Sequence, residues 1–107
     1  MKPSRLRPQA EFDLLSLADW YSTEGGPSLA GRFFDEARQA LQSIERMPGM
    51  GSERLGRAAG VEHLRSWPID RFPVRWFYFE RDDHLDVIRL LGERQDIASI
   101  LARDADE

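Results

Sequence analysis

The fold is decided by residues 73–91, PVRWFYFERDDHLDVIRLL. Two runs rich in aromatic and branched apolar residues flank the polar pair Asp82-Asp83, a pattern typical of two strands joined by a hairpin turn. Aromatic residues fall on both faces of the Pro73–Arg81 run, so this strand should be central and covered on at least one face. His84 to Leu91 supplies the strand that pairs with it.

The segments on either side of this hairpin extend the pattern. Upstream, Val61 to Ile69 carries further strand residues, and three strands joined by short turns form an antiparallel meander. Downstream, apolar residues at helical spacing predict a short terminal helix from Arg94 to Ala102. The turn between hairpin and helix falls at Gly92.

The N-terminal half is predicted to be helical after a short first strand at Ser4–Arg7. A first helix runs from Pro8 to about Thr23, and a second runs from Pro27 to Met47, which should give an antiparallel helical hairpin. Residues 49–61 hold four glycines without periodicity and are predicted to be a loop. The buried stripe of the first helix consists of Leu14, Leu17, Ala18 and Tyr21, widened by Phe12, Leu15 and Trp20.

This element order predicts an α+β fold, β-α-α-β-β-β-α. The helical hairpin would pack across one face of a small, mainly antiparallel four-stranded sheet. The length of 107 residues argues for a single domain over 1–107, with a frayed tail at 104–107.

Composition excludes several classes of site. With no cysteine, disulfides and cysteine-based metal sites are excluded, and the carboxylates lack ligand spacing, so no metal or cofactor is predicted. No apolar run approaches the ~20 residues of a membrane span, and the N-terminus lacks the apolar stretch of a secretory signal. We therefore expect a cytoplasmic protein with no membrane association. Outside the acidic tail the charge is nearly balanced, so direct specific nucleic-acid binding is not expected.

Motifs along nearly the whole chain resemble one known family. The C-terminal half contains LRSWPI at 64–69, then Phe72 and Tyr78, DVIRLL at 86–91, and RQDI at 94–97 followed by Ile100-Leu101. The N-terminal half contains Ala10-x-x-Asp13-Leu14, Ala30-x-x-Phe33 and Pro48-x-x-Gly51. In this order and spacing, the motifs resemble the ParE branch of the ParE/RelE toxin superfamily.

The resemblance implies the toxin of a type II toxin-antitoxin system. Such a toxin forms a hetero-oligomer with a cognate antitoxin, the product of an adjacent gene, whose C-terminal segment wraps it. ParE-like members are associated with inhibition of DNA gyrase and RelE-like members with cleavage of mRNA on the ribosome. The leading hypothesis is inhibition of bacterial growth by binding and poisoning gyrase. The alternatives are a RelE-like ribosome-dependent mRNA endoribonuclease, or a toxin-fold protein without surviving toxicity.

Three positions depart from the family pattern. The family histidine falls at Gly92 and the glycine after it at Glu93, and the family arginine of the last motif falls at Gln95, with Arg94 one position earlier. The RelE-like C-terminal tyrosine has no equivalent, His63 and His84 are interpreted as surface or turn residues, and Tyr21 and Tyr78 as core. No catalytic residue is therefore assigned, and the chain is predicted not to be an enzyme.

Two sets of binding residues are predicted. The target-binding set is Arg65, Trp67, Arg75, Arg94 and Asp96, because arginines that converge beside aromatic surface are typical of interface hot spots. The alternative for these arginines is salt bridging to Glu62, Glu80, Glu93 or Asp96. The antitoxin-binding set is Trp20, Phe33, Phe34 and Arg38. For the two phenylalanines and Trp67, core packing is the favoured interpretation, whereas Trp20 stays open between core edge and partner groove.

Overall fold

The computed structural model describes residues 1–104 and has the predicted α+β architecture. Its sheet has the strand order β1-β4-β3-β2, with β1 parallel to β4 and the other neighbours antiparallel. The frayed tail predicted at 104–107 was wrong for Asp104, which ends the last helix. Residues 105–107 lie outside the described residues. The elements are β1 Ser4–Leu6, α1 Pro8–Arg46, a 3₁₀ turn Pro48–Met50, α2 Arg54–Ala58, β2 Arg65–Pro68, β3 Val74–Glu80, β4 Leu85–Gly92 and α3 Ile97–Asp104.

The predicted helical hairpin lies within α1. Gly26 breaks the helix with φ 82° and ψ 179°, a conformation that glycine adopts readily and other residues do not, and Pro27 starts the second limb. The ring centroids of Tyr21 and Phe33 are 4.9 Å apart. Residues that far apart in sequence would be about 18 Å apart in an unbroken helix. The limbs 8–25 and 27–46 therefore fold back on each other, as predicted.

The sheet is covered on both faces, which the sequence did not predict. On the α1 side, Trp76 donates from Nε1 to the carbonyl oxygen of Ala37 at 3.0 Å, deep in the main core. On the other side, α2 and α3 pack over a second cluster, formed by Leu64, Phe77, Ile88, Leu91 and Leu101. Along β3 the side chains alternate between these two cores. Along β4 a register shift interrupts the alternation, so that Val87 and Leu90 both face the main core.

The loop predicted at 49–61 was wrong, because this segment contains most of the 3₁₀ turn and the helix α2. A helix as short as Arg54–Ala58 shows no apolar periodicity, and Gly56 reads as a loop residue. In the fold this glycine is buried. It lies so close to its neighbours that a Cβ there would be 2.9 Å from Leu64 Cβ. It marks a close approach rather than a flexible connection.

A polar knot holds the turn between α1 and α2 against the sheet. The hydroxyl of Tyr78 donates to the carbonyl oxygen of Pro48 at 2.6 Å and accepts the Gly51 N–H at 3.2 Å. Arg65 Nη1 donates to the carbonyl oxygens of Gly49 at 3.1 Å and Gly51 at 2.8 Å. The Pro48-x-x-Gly51 motif is therefore a docking segment for Tyr78 and Arg65.

Main-chain and side-chain contacts cover the sheet edges that β1 and β2 present. Beside β1, the Ser4 N–H donates to Glu45 Oε2 at 3.0 Å and the Lys2 N–H to the Glu45 carbonyl oxygen at 3.2 Å. Beside β2, Ser66 and Ser52 exchange backbone hydrogen bonds of 2.8 and 2.9 Å, and Pro68 has no N–H to offer. Such edges resist pairing with a further strand.

Asp86 should make stability depend on acid pH. Arg7 binds its carboxylate through two bonds of 3.0 and 2.9 Å and Arg81 through one of 2.9 Å. Burial alone would raise the pKa of Asp86, but the bonds to these arginines outweigh it and hold the pKa below its ordinary value. A carboxyl group with a lowered folded-state pKa stabilises the fold above the unfolded-state pKa of about 4, and the stability is lost as pH falls through the folded-state value.

We expect Asp86→Asn to lower the free energy of unfolding by about 1 to 2 kcal/mol at neutral pH, because it removes the charge that both arginines bind. The gap from the unsubstituted protein should narrow from about pH 4 downwards, as the pH falls through the lowered folded-state pKa and Asp86 itself becomes neutral. Urea unfolding across that range measures it, with Asp82→Asn in the exposed hairpin turn as the matched control. A gap that stays constant with pH would contradict the assignment.

Candidate functional site

A groove lies between the first limb of α1 and the segment that joins β4 to α3. Its volume is about 710 Å³, and most of its lining is apolar. Buried residues form its floor, and exposed residues from the helix and the joining segment form its walls. We call it the aromatic groove. Its lining includes Phe12, Asp13, Ser16, Leu17, Trp20, Tyr21, Arg89, Leu90, Gly92, Arg94 and Gln95.

The helix wall of this groove corrects a prediction. Phe12, Leu15 and Trp20 were predicted to widen the buried stripe, but they are 64%, 62% and 53% exposed. The helix turns Ala10, Ala18 and Tyr21 towards the sheet, so the opposite side carries these three residues on the surface. Phe12, Ser16 and Trp20 follow each other at intervals of four and form one row along the groove. Exposed aromatic side chains in such a row are typical of interaction surfaces.

A buried ionic cluster lies at the groove's polar end. Arg89 donates from Nε to Asp13 Oδ2 at 2.7 Å and from Nη2 to Asp13 Oδ1 at 3.0 Å, while its Nη1 binds Asp104. Asp13 Oδ2 also accepts the backbone N–H of Leu90 at 3.0 Å. Burial would lower the pKa of Arg89, but the bonds and charges of the two aspartates raise it above its ordinary value. Arg89 therefore stays charged and fully engaged.

The sequence singled out Asp13 only as part of the motif Ala10-x-x-Asp13-Leu14, and this cluster was not predicted. The available signal was the single charge inside the apolar run VIRLL, together with the aspartate of Ala10-x-x-Asp13-Leu14. A lone arginine in a central strand needs a buried partner, since an unpaired buried charge is costly. That reasoning would have linked the two motifs.

The opposite wall is a tight turn after β4. Gln95 Oε1 accepts the Gly92 N–H at 2.7 Å, and the Gln95 N–H donates to the Gly92 carbonyl oxygen at 3.0 Å. Gly92 and Gln95, two of the positions that depart from the family pattern, are thus bonded to each other. Arg94 projects from this turn towards Tyr21: burial raises the pKa of Tyr21, and the charge of Arg94 partly lowers it again.

The predicted convergence of arginines was wrong. Arg65 lies opposite Tyr78 and Arg75 opposite Pro68, so alternation sends Arg65 to the α1 face of the sheet and Arg75 to the other. Arg65 pairs with Glu53 at 3.7 Å instead of any of the four acids considered. Arg75 donates from Nε to Ser66 Oγ at 3.1 Å, and its pKa is lowered, chiefly by burial.

The other target-binding candidates also separate. Trp67 is half-buried and packs against the α1-side core. Asp96 caps α3, because its Oδ1 accepts the Ser99 N–H at 3.3 Å and its Oδ2 the Ser99 hydroxyl at 2.9 Å. Within this set, only Arg94 lines the aromatic groove.

Among the antitoxin-binding candidates, Phe33 is not placed to bind a partner. It is 0% exposed and packs between Tyr21 and Phe72, so it cannot contact a partner directly. Its favoured interpretation as core was right. Trp20, Phe34 and Arg38 are exposed, and the favoured core interpretation was wrong for Phe34, which is 39% exposed. Arg38 pairs with Asp35 at 3.1 Å along the helix. Trp20 is the member of this set that lines the groove.

Other titratable groups lie outside the groove. His84 Nδ1 and Asp83 Oδ1 are 2.7 Å apart in the hairpin turn, and this hydrogen bond is the main cause that lowers the pKa of Asp83. Within residues 1–104, no group of three or more histidines and carboxylates is placed to hold a metal ion. Over the same residues, no helix combines the length and apolarity needed to cross a membrane.

Comparison with known proteins agrees with this geometry. A family model described as "ParE toxin of type II toxin-antitoxin system, parDE" matches residues 5–97. A solved structure described as "Chromosomal ParDE TA system from P. aeruginosa" is similar with a TM-score of 0.72 and 18% identity, over 86% of this chain and 96% of that one. At this identity the likeness concerns the fold. No curated protein matches the chain.

Proposed function

We propose, since this chain belongs to the family of ParE toxins of type II toxin-antitoxin systems, that it inhibits bacterial growth by binding and poisoning DNA gyrase in the cytoplasm. A cognate antitoxin, the product of an adjacent gene, binds the toxin and neutralises it. The toxin acts as a binding protein and not as an enzyme.

The aromatic groove is the observation that supports a binding role. Its volume of about 710 Å³ takes several partner side chains, and Phe12 and Trp20 stand exposed along its wall. Tryptophan and arginine are enriched among residues that dominate binding energy, and Trp20 and Arg94 lie on opposite walls. Because the edges at β1 and β2 are occupied, we expect partners to dock through side chains rather than by adding a strand.

The placement of the tyrosines and histidines supports the non-enzymatic part of the proposal. The hydroxyl of Tyr78 is bound on both sides by the turn at Pro48 and Gly51. Tyr21 lies on the groove floor, and His84 is held in the hairpin turn. General acid–base catalysis of RNA cleavage needs such groups within reach of one phosphate, whereas Tyr78 and His84 are hydrogen-bonded in two separate turns.

A supercoiling assay with purified gyrase tests the target. Micromolar toxin should inhibit supercoiling and accumulate cleaved DNA, and addition of purified antitoxin should reverse both effects. The same preparation is assayed in a translation extract. Cleavage of mRNA there, with gyrase unaffected, would replace this proposal by ribosome-dependent nuclease activity. Inactivity in both assays, together with unimpaired growth on expression without antitoxin, would indicate a toxin fold without toxicity.

The groove's role in antitoxin binding can be tested by substitution. Trp20→Ala should weaken binding of the cognate antitoxin by about 30-fold, because truncation of a central aromatic contact costs about 2 kcal/mol. Titration calorimetry with the purified antitoxin measures the change. Leu15→Ala is the matched control, since Leu15 is equally exposed on the same limb but lies outside the groove. Equal affinities for both variants would place the antitoxin on another surface.

A further inference from the structure

The helix α3 depends on tertiary contacts for its stability. It has eight residues, whereas isolated helices shorter than about 12 residues are marginal in water. Within it, only Leu101 is fully buried, and Ile97 and Ile100 are half-buried against the second core. Its N-terminal cap, from Asp96 to Ser99, is local and does not attach it to the sheet.

One polar contact attaches the far end of α3. Among residues 1–104, the Arg89–Asp104 pair is the only hydrogen bond or ion pair from α3 to any residue before Gln95. The helix is therefore held by one buried leucine, two partly buried isoleucines and this ion pair. Segments with so few attachments open at a lower free energy than the core strands.

The two arms of the Arg89 cluster differ in exposure. The side chains of Arg89 and Asp13 are 12% and 10% exposed, and Asp13 also binds the Leu90 N–H. The side chain of Asp104 is 28% exposed and binds Arg89 through Nη1 alone. Solvent weakens the more exposed pair more strongly. The Asp104 arm should therefore open first, while Asp13 keeps Arg89 in place.

We propose that α3 is a detachable strap, fastened at its C-terminal end by Arg89, that releases from the sheet as a unit while α1 and the strands remain folded. Release uncovers the second apolar surface, at Phe77, Ile88 and Leu91. It also frees Nη1 of Arg89, a residue that lines the aromatic groove. The strap thus adds a concealed apolar surface to the fold, independently of which target the toxin binds.

Hydrogen exchange on the full-length chain tests the strap. In Asp104→Asn, amides of α3 should exchange about tenfold faster than in the unsubstituted protein, because the charge-assisted fastening is lost. Amides of α1, β3 and β4 should keep their rates. Arg103→Gln, one residue away in the same turn and exposed, is the matched control and should leave α3 unchanged. A higher salt concentration should accelerate hydrogen exchange of the α3 amides in the unsubstituted protein but not in Asp104→Asn.

Two outcomes would overturn the proposal. Unchanged exchange in α3 would show that Asp104 does not fasten it. Faster exchange spread over α1 and the strands would show that the pair stabilises the whole fold instead of a separable strap. Neither outcome depends on gyrase or on the antitoxin, so failure here leaves the proposed function standing.

Discussion

Replacing Asp13 by alanine is expected to lower the free energy of unfolding by about 3 to 5 kcal/mol. The carboxylate of Asp13 accepts two hydrogen bonds from Arg89 and one from the Leu90 N–H. Asp13 as a whole residue is 8% exposed. Its removal leaves a buried guanidinium with Asp104 alone and strands a buried backbone donor, and both effects cost free energy. The free energy of unfolding of a small domain is only about 5 to 15 kcal/mol in total, so this loss is large. Urea unfolding followed by tryptophan fluorescence measures it.

Three companion variants make the Asp13 experiment specific. Glu11→Gln removes an exposed charge from the same turn and should change stability little. Asp13→Asn keeps an acceptor and should cost less than alanine, which preserves a measurable folded state. The double variant Asp13→Ala with Arg89→Ala should be less destabilised than the sum of the single variants, because neither charge is then left unpaired. Additive losses would show that the two residues act separately.

The sequence predicted the elements whose residues repeat clearly and whose partners are sequence neighbours. The strands at 73–91 are rich in aromatic and branched apolar residues and are joined by Asp82-Asp83, so the hairpin follows from the chain alone. The register shift between Phe77 and Tyr78 does not. The hairpin of α1 was marked by Gly26 and Pro27. By contrast, α2 has five residues around a glycine, and its helical state depends on a sheet face that the sequence did not reveal as covered.

The candidate site was harder to predict, because it depends on register and on orientation. Arg65 and Arg75 lie on neighbouring strands, so the sequence alone suggests that they are close together. The register of β2 against β3 instead places them on opposite faces of the sheet. The first helix carries apolar residues all round, and only the position of the sheet decides that Tyr21 is buried and Trp20 exposed. Periodicity shows that a stripe exists, whereas the partner layer shows which stripe is buried.

Four of the motif positions shared with the family have packing roles. Ala10 is fully buried and Asp13 binds Arg89, so these positions fix α1 on the sheet. Pro48 and Gly51 receive Tyr78 and Arg65. These positions therefore maintain the fold. We expect partner specificity to reside in exposed groove residues outside these interactions, of which Phe12, Trp20 and Arg94 are the best placed.

Gly51 should not tolerate a methyl group. A Cβ there would overlap the Tyr78 hydroxyl and lie 2.8 Å from Tyr78 Cζ and 2.9 Å from Arg65 Cβ. We expect Gly51→Ala to cost about 3 kcal/mol, from overpacking and from loss of the hydrogen bonds that Tyr78 makes to the turn. Chemical unfolding measures the cost. Gly49→Ala is the matched control, because a Cβ at that position of the same turn has nothing within 4 Å.

A second substitution separates crowding from a general intolerance of the turn. Tyr78→Phe removes the overlapping oxygen, so Gly51→Ala combined with Tyr78→Phe should cost less than the sum of the two single changes. Each single change removes the same two hydrogen bonds, from Tyr78 to Pro48 and from Gly51 to Tyr78. The coupling therefore tests whether the hydroxyl is what holds the turn. If the two losses simply add, Gly51 is required for some reason other than the approach of Tyr78, and the polar knot does not explain the Pro48-x-x-Gly51 motif.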